Sequence, residues 1–460
     1  MFTVIDDIKK YNTIHFIGIG GISMSGIAET IKYIGIKVTG SDWSKSEITD
    51  KLISDGIDVT IGSDLEKVRN ADLVVYTAAI SKDDPELVEA NRLNIKTCER
   101  AVFLGELTKA FRNTIGISGT HGKTTTTSLV SLCFINAGLD PNVQVGAILK
   151  QLDGNYRIGK SDYLILEACE YVESFLHFHP RAEIITNIDN DHLDYFKTLD
   201  NVINAFIKYV KLLPDDGLLV MNADDKNSIG IDKYTNANVL TYGINNKNAN
   251  FTADNIEFNS EGFATFDVYK NGEFFDKFSL SIPGMHNVLN ALACIALCNF
   301  YGIQNDAIKK AFESFTGANR RLEYKGSFDG VKVYDDYAHH PTEIRATSAA
   351  LNKKTFNESW VVFQPHTYSR LMHLLDDFAE SLLDFDHIVI ADVYAAREKN
   401  IYNVTSKDLA DKIASKGKSV EYIHEFEDIV KYLKQNAKDG DIVLTLGAGT
   451  VTEIGPMLLE

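Results

Sequence analysis

The strongest chemistry in this sequence lies at Gly119-Thr120-His121-Gly122-Lys123-Thr124-Thr125-Thr126. The segment follows Thr114-Ile115-Gly116-Ile117-Ser118 and precedes Ser128-Leu129-Val130-Ser131-Leu132, an order that predicts strand, glycine loop, helix. Backbone N–H groups in such a loop converge on phosphate oxygens, aided by the positive end of the following helix. Lys123 would reach the outer phosphates, and the Thr124 hydroxyl would ligate Mg²⁺. A plain glycine turn has no use for a Gly-Lys-Thr triplet, so the chain is expected to bind or spend ATP or a similar triphosphate. The strict pattern wants glycine five residues before Gly122, and position 117 is Ile, with Gly116 one place too early.

Other polar residues of catalytic type gather just after predicted strands. Glu167 and Glu170 follow Tyr163–Leu166, and Asn187, Asp189, Asp191 and His192 follow Ile184–Thr186. Asp335, Asp336, Tyr337, His339 and His340 follow the Val331 strand. His366 and Arg370, Tyr394 and Arg397, and Gly447-Ala448-Gly449 follow three more. Ligands of open parallel sheets bind beyond the carboxyl ends of the strands, so these clusters predict one shared cleft. Hard oxygens from Thr124 and Glu170, with His192, suit cations that bridge phosphates. Arg370 suits a bidentate grip on a carboxylate. His286-Asn287-x-x-Asn290 opens a helix, where the Asn side chains would either read an adenine edge or cap the helix.

The elements that must position these groups fall into three βα blocks, placed at 1–112, 113–318 and 319–460 by each restart of the pattern. The fold class is α/β: a Rossmann-like first block, a P-loop second block and a Rossmann-like third block with a parallel sheet. The first block opens with strand Ile14–Gly20, a helix over Gly21–Ile34 and a strand over Lys37–Gly40. A further strand, Asp72–Tyr76, ends at Thr77-Ala78-Ala79-Ile80. Gly18-x-Gly20-x-x-Ser23, with Asp42 beyond the second strand, resembles a dinucleotide fingerprint lacking its third glycine. Those residues alone leave NAD and other phosphorylated nucleotides open. In the second block Asn238–Leu280 reads as β-rich and antiparallel, with turns at Asn245–Asn250 and Asn271–Gly272.

The net charge of −18 argues against a nucleic-acid partner, which needs a basic face. The acidic start Met1–Asp7 has no signal-peptide pattern, and the most apolar helix, near Asn287–Phe300, is interrupted by Asn290 and Asn299. A cytoplasmic protein without membrane insertion is expected. The five cysteines show no metal-type spacing, and Cys294 and Cys298, one helical turn apart, read as core residues.

Taken in order, these motifs resemble the Mur ligase family of peptidoglycan synthesis over essentially the whole chain. His15–Gly21 with Met24-Ser25-Gly26-Ile27-Ala28 and Gly40-Ser41-Asp42 resembles its N-terminal motif, and Gly119–Thr126 its ATP loop. Thr186–Asp189 with Asp191-His192-Leu193-Asp194 resembles its metal segment, and Pro283-Gly284 with His286–Ala291 its adenine segment. Arg320-Arg321-x-Glu323, Asp335–Glu343 and Gln364-Pro365-His366 complete the set.

The resemblance implies a UDP-substrate domain, an ATP domain and an amino-acid domain. It implies that ATP drives L-alanine onto the carboxylate of UDP-N-acetylmuramate through an acyl phosphate; the alternative is a recycling ligase that adds a tripeptide to the same acid. It assigns Gly18, Gly20, Gly21, Ser25, Ser41 and Asp42 to the UDP substrate. It assigns Gly119, Thr120, His121, Gly122, Lys123, Thr124, Thr125, His286, Asn287, Asn290, Arg321 and Asp336 to ATP. Thr124, Glu170 and His192 would hold metal, and His339, Arg370 and Tyr337 the amino acid. Lys123, Glu170, His192 and His339 would carry the catalysis. Two positions depart from the family: Thr367 stands where many members have a second arginine, and Cys169-Glu170-Tyr171-Val172 is less acidic than usual.

Overall fold

The structure, a computed structural model, describes residues 8–78, 80–396 and 398–460. Residues 1–7, Ala79 and Arg397, all used in the sequence reading, lie outside the described residues.

Three sheets carry the chain. The first runs Asp58–Ile61, Lys37–Asp42, Thr13–Ile17, Leu73–Tyr76, Lys96–Glu99, all parallel. Its central strand is buried on both faces, as continuous apolar runs in parallel sheets require. The second has ten strands, with Asn113–Ser118 between Ala182–Ile185 and Tyr163–Glu167. The third orders Glu323–Phe328, Val331–Asp336, Ile442–Leu446, Ser359–Phe363, His387–Ile390, Val420–Tyr422.

Two strand expectations change. The Asn238–Gly243 strand pairs parallel with both Leu218–Asn222 and Phe251–Phe258; antiparallel pairing begins only at Phe263–Lys270. The cause is Asp224, whose carboxylate accepts the N–H groups of Ile244, Asn245 and Asn246 and bends the chain away from a hairpin. The third sheet is mixed, because Glu323–Phe328 adds an antiparallel edge to Val331–Asp336.

After Lys123, the Lys123–Asn136 helix continues with four threonines, poor helix formers. They persist because the helix start is fixed by Gly122 at φ 85°, and because Thr127 and Ser128 donate back to the carbonyls of Lys123 and Thr124 at 2.9 and 2.7 Å. These back-bonds let a polar helix sit in the core. The Met285–Phe300 helix packs against it and is apolar nearly all round, as a fully buried helix must be. Their contact brings together Cys133, Cys294 and Cys298, with Sγ atoms 3.5 Å (133–294) and 3.9 Å (294–298) apart, a grouping that linear spacing hides.

Gly116 has a packing role. A Cβ there would collide with the hydroxyl of Tyr209, which is fully buried over the strand. The glycine that sits one place early is therefore cut for Tyr209, and belongs to the core.

Candidate active site

The ATP-type loop is built by the segment that follows the Ala182–Ile185 strand. Thr186 Oγ1 donates to His121 O at 2.6 Å. Asn187 accepts from His121 N at 2.9 Å and donates to His121 O at 3.0 Å, and Thr120 N donates to Asn187 O at 2.9 Å. Asp189 N donates to Thr120 Oγ1 at 2.8 Å. Gly119, at φ 130°, leaves no room for a Cβ beside the Thr186 hydroxyl. Residues 186–189, read as a metal segment, thus hold the loop in shape; Asp191 and His192 continue into the cleft.

Lys123 Nζ folds back onto the carbonyls of Gly119 and Thr120 and pairs with both Glu170 oxygens at 3.1 and 3.0 Å. Burial pushes the ammonium down, but Glu170 more than compensates and lifts it to about 12. Thr124 Oγ1 donates to Glu167 Oε2 at 3.2 Å rather than to Glu170. Burial raises the Glu167 carboxyl. Glu167, which received no role from sequence, thus lies beside Thr124 and Glu170. His192 Nε2 lies 4.0 Å from Glu170 Oε1 and 3.8 Å from Asp191 Oδ2. The Tyr171 ring packs on His192 at 4.6 Å, so the residue at position 171 gives that imidazole an aromatic support.

A cavity of about 640 Å³ opens beside the loop, lined by His121, Gly122, Thr124, Thr125, His286, Asn287, Asn290, Arg321 and Asp336. Nine of the twelve predicted nucleotide residues converge there, from the loop, two helices and the third sheet; Gly119, Thr120 and Lys123 do not line it. Asn287 does not cap its helix; its Nδ2 donates to Pro283 O at 2.7 Å and its Oδ1 accepts from Asn290 Nδ2 at 3.0 Å. Burial, with Arg321 nearby, pushes His286 down to about 4, and burial raises Asp336 to about 6 against Arg321.

A second cavity, of about 310 Å³, lies between the middle and third sheets and is lined by Asp191, His192, His366, Thr367, Arg370 and Glu398 among others. Arg370 spans it, with Nη2 3.0 Å from Asp191 Oδ1 and Nη1 3.0 Å from His366 Nδ1. Burial would raise Asp191, yet Arg370 and His192 hold it well below the usual carboxylate range. Thr367 sits at φ 63°, ψ 145°, a costly conformation for a β-branched residue, and its hydroxyl accepts from Arg370 N at 3.5 Å. Ser369 N donates to Glu398 Oε2 at 2.8 Å, pinning the same turn, and no local pattern marked Glu398. His339 borders this cavity through His366, with ring centroids 5.7 Å apart. Burial pushes the His339 ring down to about 4.

Three expected ligand residues engage internal partners. Tyr337 does not line the cavity; its ring lies 4.9 Å from the Arg320 guanidinium and 5.5 Å from that of Arg321, and serves as their platform. Ser41 donates its hydroxyl to the buried Glu86, which also pairs with His15 at 3.4 Å, so it braces the first domain. Ser25 is buried and donates to Ile22 O at 3.0 Å. Gly18 and Gly20 shape their loop by donating to Ser41 O at 2.9 Å and Asp42 Oδ2 at 2.8 Å, and Gly21 N closes it onto Gly18 O at 3.2 Å.

The seam between the middle and third sheets is polar. Thr342 Oγ1 donates to Asp189 Oδ2 at 2.7 Å, and His340 Nε2 lies 3.3 Å from Asn190 O. His121 sits between Asp189 and Glu343, at 3.1 and 3.4 Å. Burial opposes its charge, but the two carboxylates raise it to about 9.

This three-part arrangement has known counterparts. The Mur ligase family catalytic domain matches residues 13–112, the Mur ligase middle domain 117–298 and the Mur ligase glutamate ligase domain 320–449. The chain belongs to the Mur ligase family. Among its Mur ligase relatives, UDP-N-acetylmuramate–L-alanine ligase of Acetivibrio thermocellus is 48% identical over 99% of this chain and 97% of its own. The enzyme of the same name from Clostridium acetobutylicum is 48% identical over 100% and 99%. The Thermotoga maritima UDP-N-acetylmuramate–alanine ligase structure superposes with a TM-score of 0.83 at 30% identity, covering 97% of this chain and 98% of that one. A murein peptide ligase from Psychrobacter arcticus gives 0.75 at 25% identity, with the same coverage.

Proposed function

We propose that this chain joins L-alanine to the carboxylate of UDP-N-acetylmuramate at the expense of ATP, in peptidoglycan precursor synthesis. The observation that carries this reading is the 48% identity, over essentially the full length, to ligases of that name. The murein peptide ligase structure stands further away, at 25%.

The geometry supports a two-step course. A carboxylate is a poor electrophile, so phosphoryl transfer from ATP must come first. ATP would enter the larger cavity with its phosphates on the loop, displacing the internal contacts of Lys123, whose charge then serves the transferred phosphoryl group. Thr124, Glu167 and Glu170 form a hard-oxygen set, with His192 at its edge, and this fits Mg²⁺, which would neutralise phosphate charge there. His286, Asn287, Asn290, Arg321 and Asp336 would surround the base and sugar. Arg370 would exchange part of its Asp191 contact for the carboxylate of alanine, leaving the amine near His339. The first domain would hold the UDP portion through the Gly18–Gly21 loop and Asp42. The use of two nucleotide substrates supports a cytoplasmic reaction. No helix among the described residues is long and apolar enough to cross a membrane.

The test is phosphate release with ATP and UDP-N-acetylmuramate, comparing L-alanine with the tripeptide. Turnover with alanine is expected, and turnover only with the tripeptide would exclude this reading.

A further inference from the structure

We propose that Glu343 is a positioning residue that fixes His339 with the proton on Nδ1, so that Nε2 presents a lone pair to the amine of the incoming amino acid. The proposal rests on the ligase reading above and adds to it a residue and a tautomer.

The argument is one of donors and acceptors. His339 Nδ1 lies 2.9 Å from Tyr337 O and 3.3 Å from Glu343 Oε2. A carbonyl and an ionised carboxylate only accept, so Nδ1 must carry the hydrogen. In a neutral ring the other nitrogen then holds the lone pair. The same Glu343 oxygen accepts the main-chain N–H of His339 at 3.1 Å, which ties down both backbone and ring. Its second oxygen faces His121 at 3.4 Å and Arg321 at 4.0 Å, so Glu343 stays ionised despite burial. Glu343 sits in the first turn of the Pro341–Leu351 helix, a rigid support. Among the described residues Nε2 has no hydrogen-bond partner, while the ring faces His366 at the rim of the Arg370 cavity.

The chemistry needs such a group. Alanine arrives as an ammonium ion and loses one proton to water, freeing the lone pair that forms the C–N bond to the acyl-phosphate carbon. The nitrogen of the tetrahedral intermediate then gives its second proton to Nε2. The C–O bond to phosphate breaks, the electron pair leaves with phosphate, and the proton passes from Nε2 to it, giving hydrogen phosphate and the amide. A carboxylate that orients the far side of the ring favours the proton-accepting tautomer and stabilises the imidazolium that forms transiently.

The experiment compares nucleophiles in Glu343→Gln. With L-alanine, kcat is expected to fall about 10²-fold, the scale of a lost general base, while the KM for alanine stays within about threefold. Hydroxylamine, whose weakly basic nitrogen sheds its proton to water, should drive ADP release within about threefold of the unaltered protein, which also shows that the variant folds and uses ATP. His339→Gln should show the same split, and the double variant should be no worse than either single one. ¹⁵N-histidine spectra should show the Nδ1–H signal of one ring shifted in Glu343→Gln, because the Tyr337 carbonyl then holds that proton without the carboxylate. Equal losses with both nucleophiles, or no loss with alanine, would overturn the proposal. Failure of the ligase reading itself would show earlier, as absent alanine-dependent turnover in the unaltered protein.

Discussion

Replacing Lys123 by methionine keeps the length of the side chain and removes its charge. Glu170 is 1% exposed, and Lys123 is its cation, at 3.0 and 3.1 Å. Glu167, also largely enclosed, accepts the Thr124 hydroxyl. Removing one partner of a buried pair costs about 3–5 kcal/mol, because the remaining charge is left without compensation. For a domain of this size each kcal/mol moves the melting temperature by about 2–4 °C, so the middle-domain transition should fall by about 6–20 °C. The sign of the pH dependence follows from Lys123, whose value rises from 10.5 to about 12 on folding. Its contribution is complete below 10.5 and is lost as pH rises through 12, so across the neutral range the whole penalty should be seen. Added Mg²⁺ should recover part of the loss by taking over as the cation. Calorimetry reads the stability, and coupled ADP release reads the chemistry, which should fall by about 10³-fold or more, while UDP-substrate binding on the first domain persists. A melting temperature within about 2 °C of the parent would refute the pairing argument. Loss of UDP-substrate affinity would refute the assignment of separate domains.

Gly122→Ala forces a side chain into φ 85° with its Cβ 2.6 Å from Asn290 Oδ1, so a stability loss of about 1–2 kcal/mol and a raised KM for ATP are expected from urea melts and steady-state kinetics. An unchanged KM would mean that the loop and the Asn290 helix do not share the nucleotide. His121, lifted from 6.5 to about 9 by Asp189 and Glu343, should add stability in full below 6.5 and lose it as pH rises through 9. The urea midpoint should fall across that window and fall less in His121→Asn; an equal slope in both proteins would contradict the imidazolium seam.

The ATP loop was legible because its chemistry and its spacing are local. Lys123, Thr124 and the helix behind them need only the order strand, loop, helix. The convergence of His286, Asn290, Arg321 and Asp336 on one cavity followed from family resemblance, since no local rule joins a helix start at 286 to a strand end at 336. What stayed hidden depends on side-chain direction. Ser41, on the Lys37–Asp42 strand, and Glu86, on the Pro85–Arg92 helix, meet in the core of the first domain, and the sequence around Ser41 looks like a ligand loop either way. Glu167 and Glu170 are close neighbours, and only the backbone geometry decides that the first faces Thr124 and the second Lys123. Glu343 did leave a signal. His340 caps the helix, Pro341 opens it, and an acid follows in the first turn, a pattern that predicts a reach back toward the preceding N–H groups. The parallel course of Asn238–Gly243 was missed because Asp224, which turns the chain, lies well before it in sequence.

Three bonds join the third sheet to the middle one at consecutive residues: Thr342 to Asp189, His340 to Asn190, Arg370 to Asp191. His192 is the next residue, held at φ 56°. A movement of the third domain that keeps these contacts would act on the backbone beside His192. Thermodynamic reciprocity then applies: by whatever factor a cation at His192 favours the docked position of the third domain, docking tightens that cation by the same factor. A cation at His192 and an amino acid held at Arg370 would then share one equilibrium, and each would report the occupancy of the other.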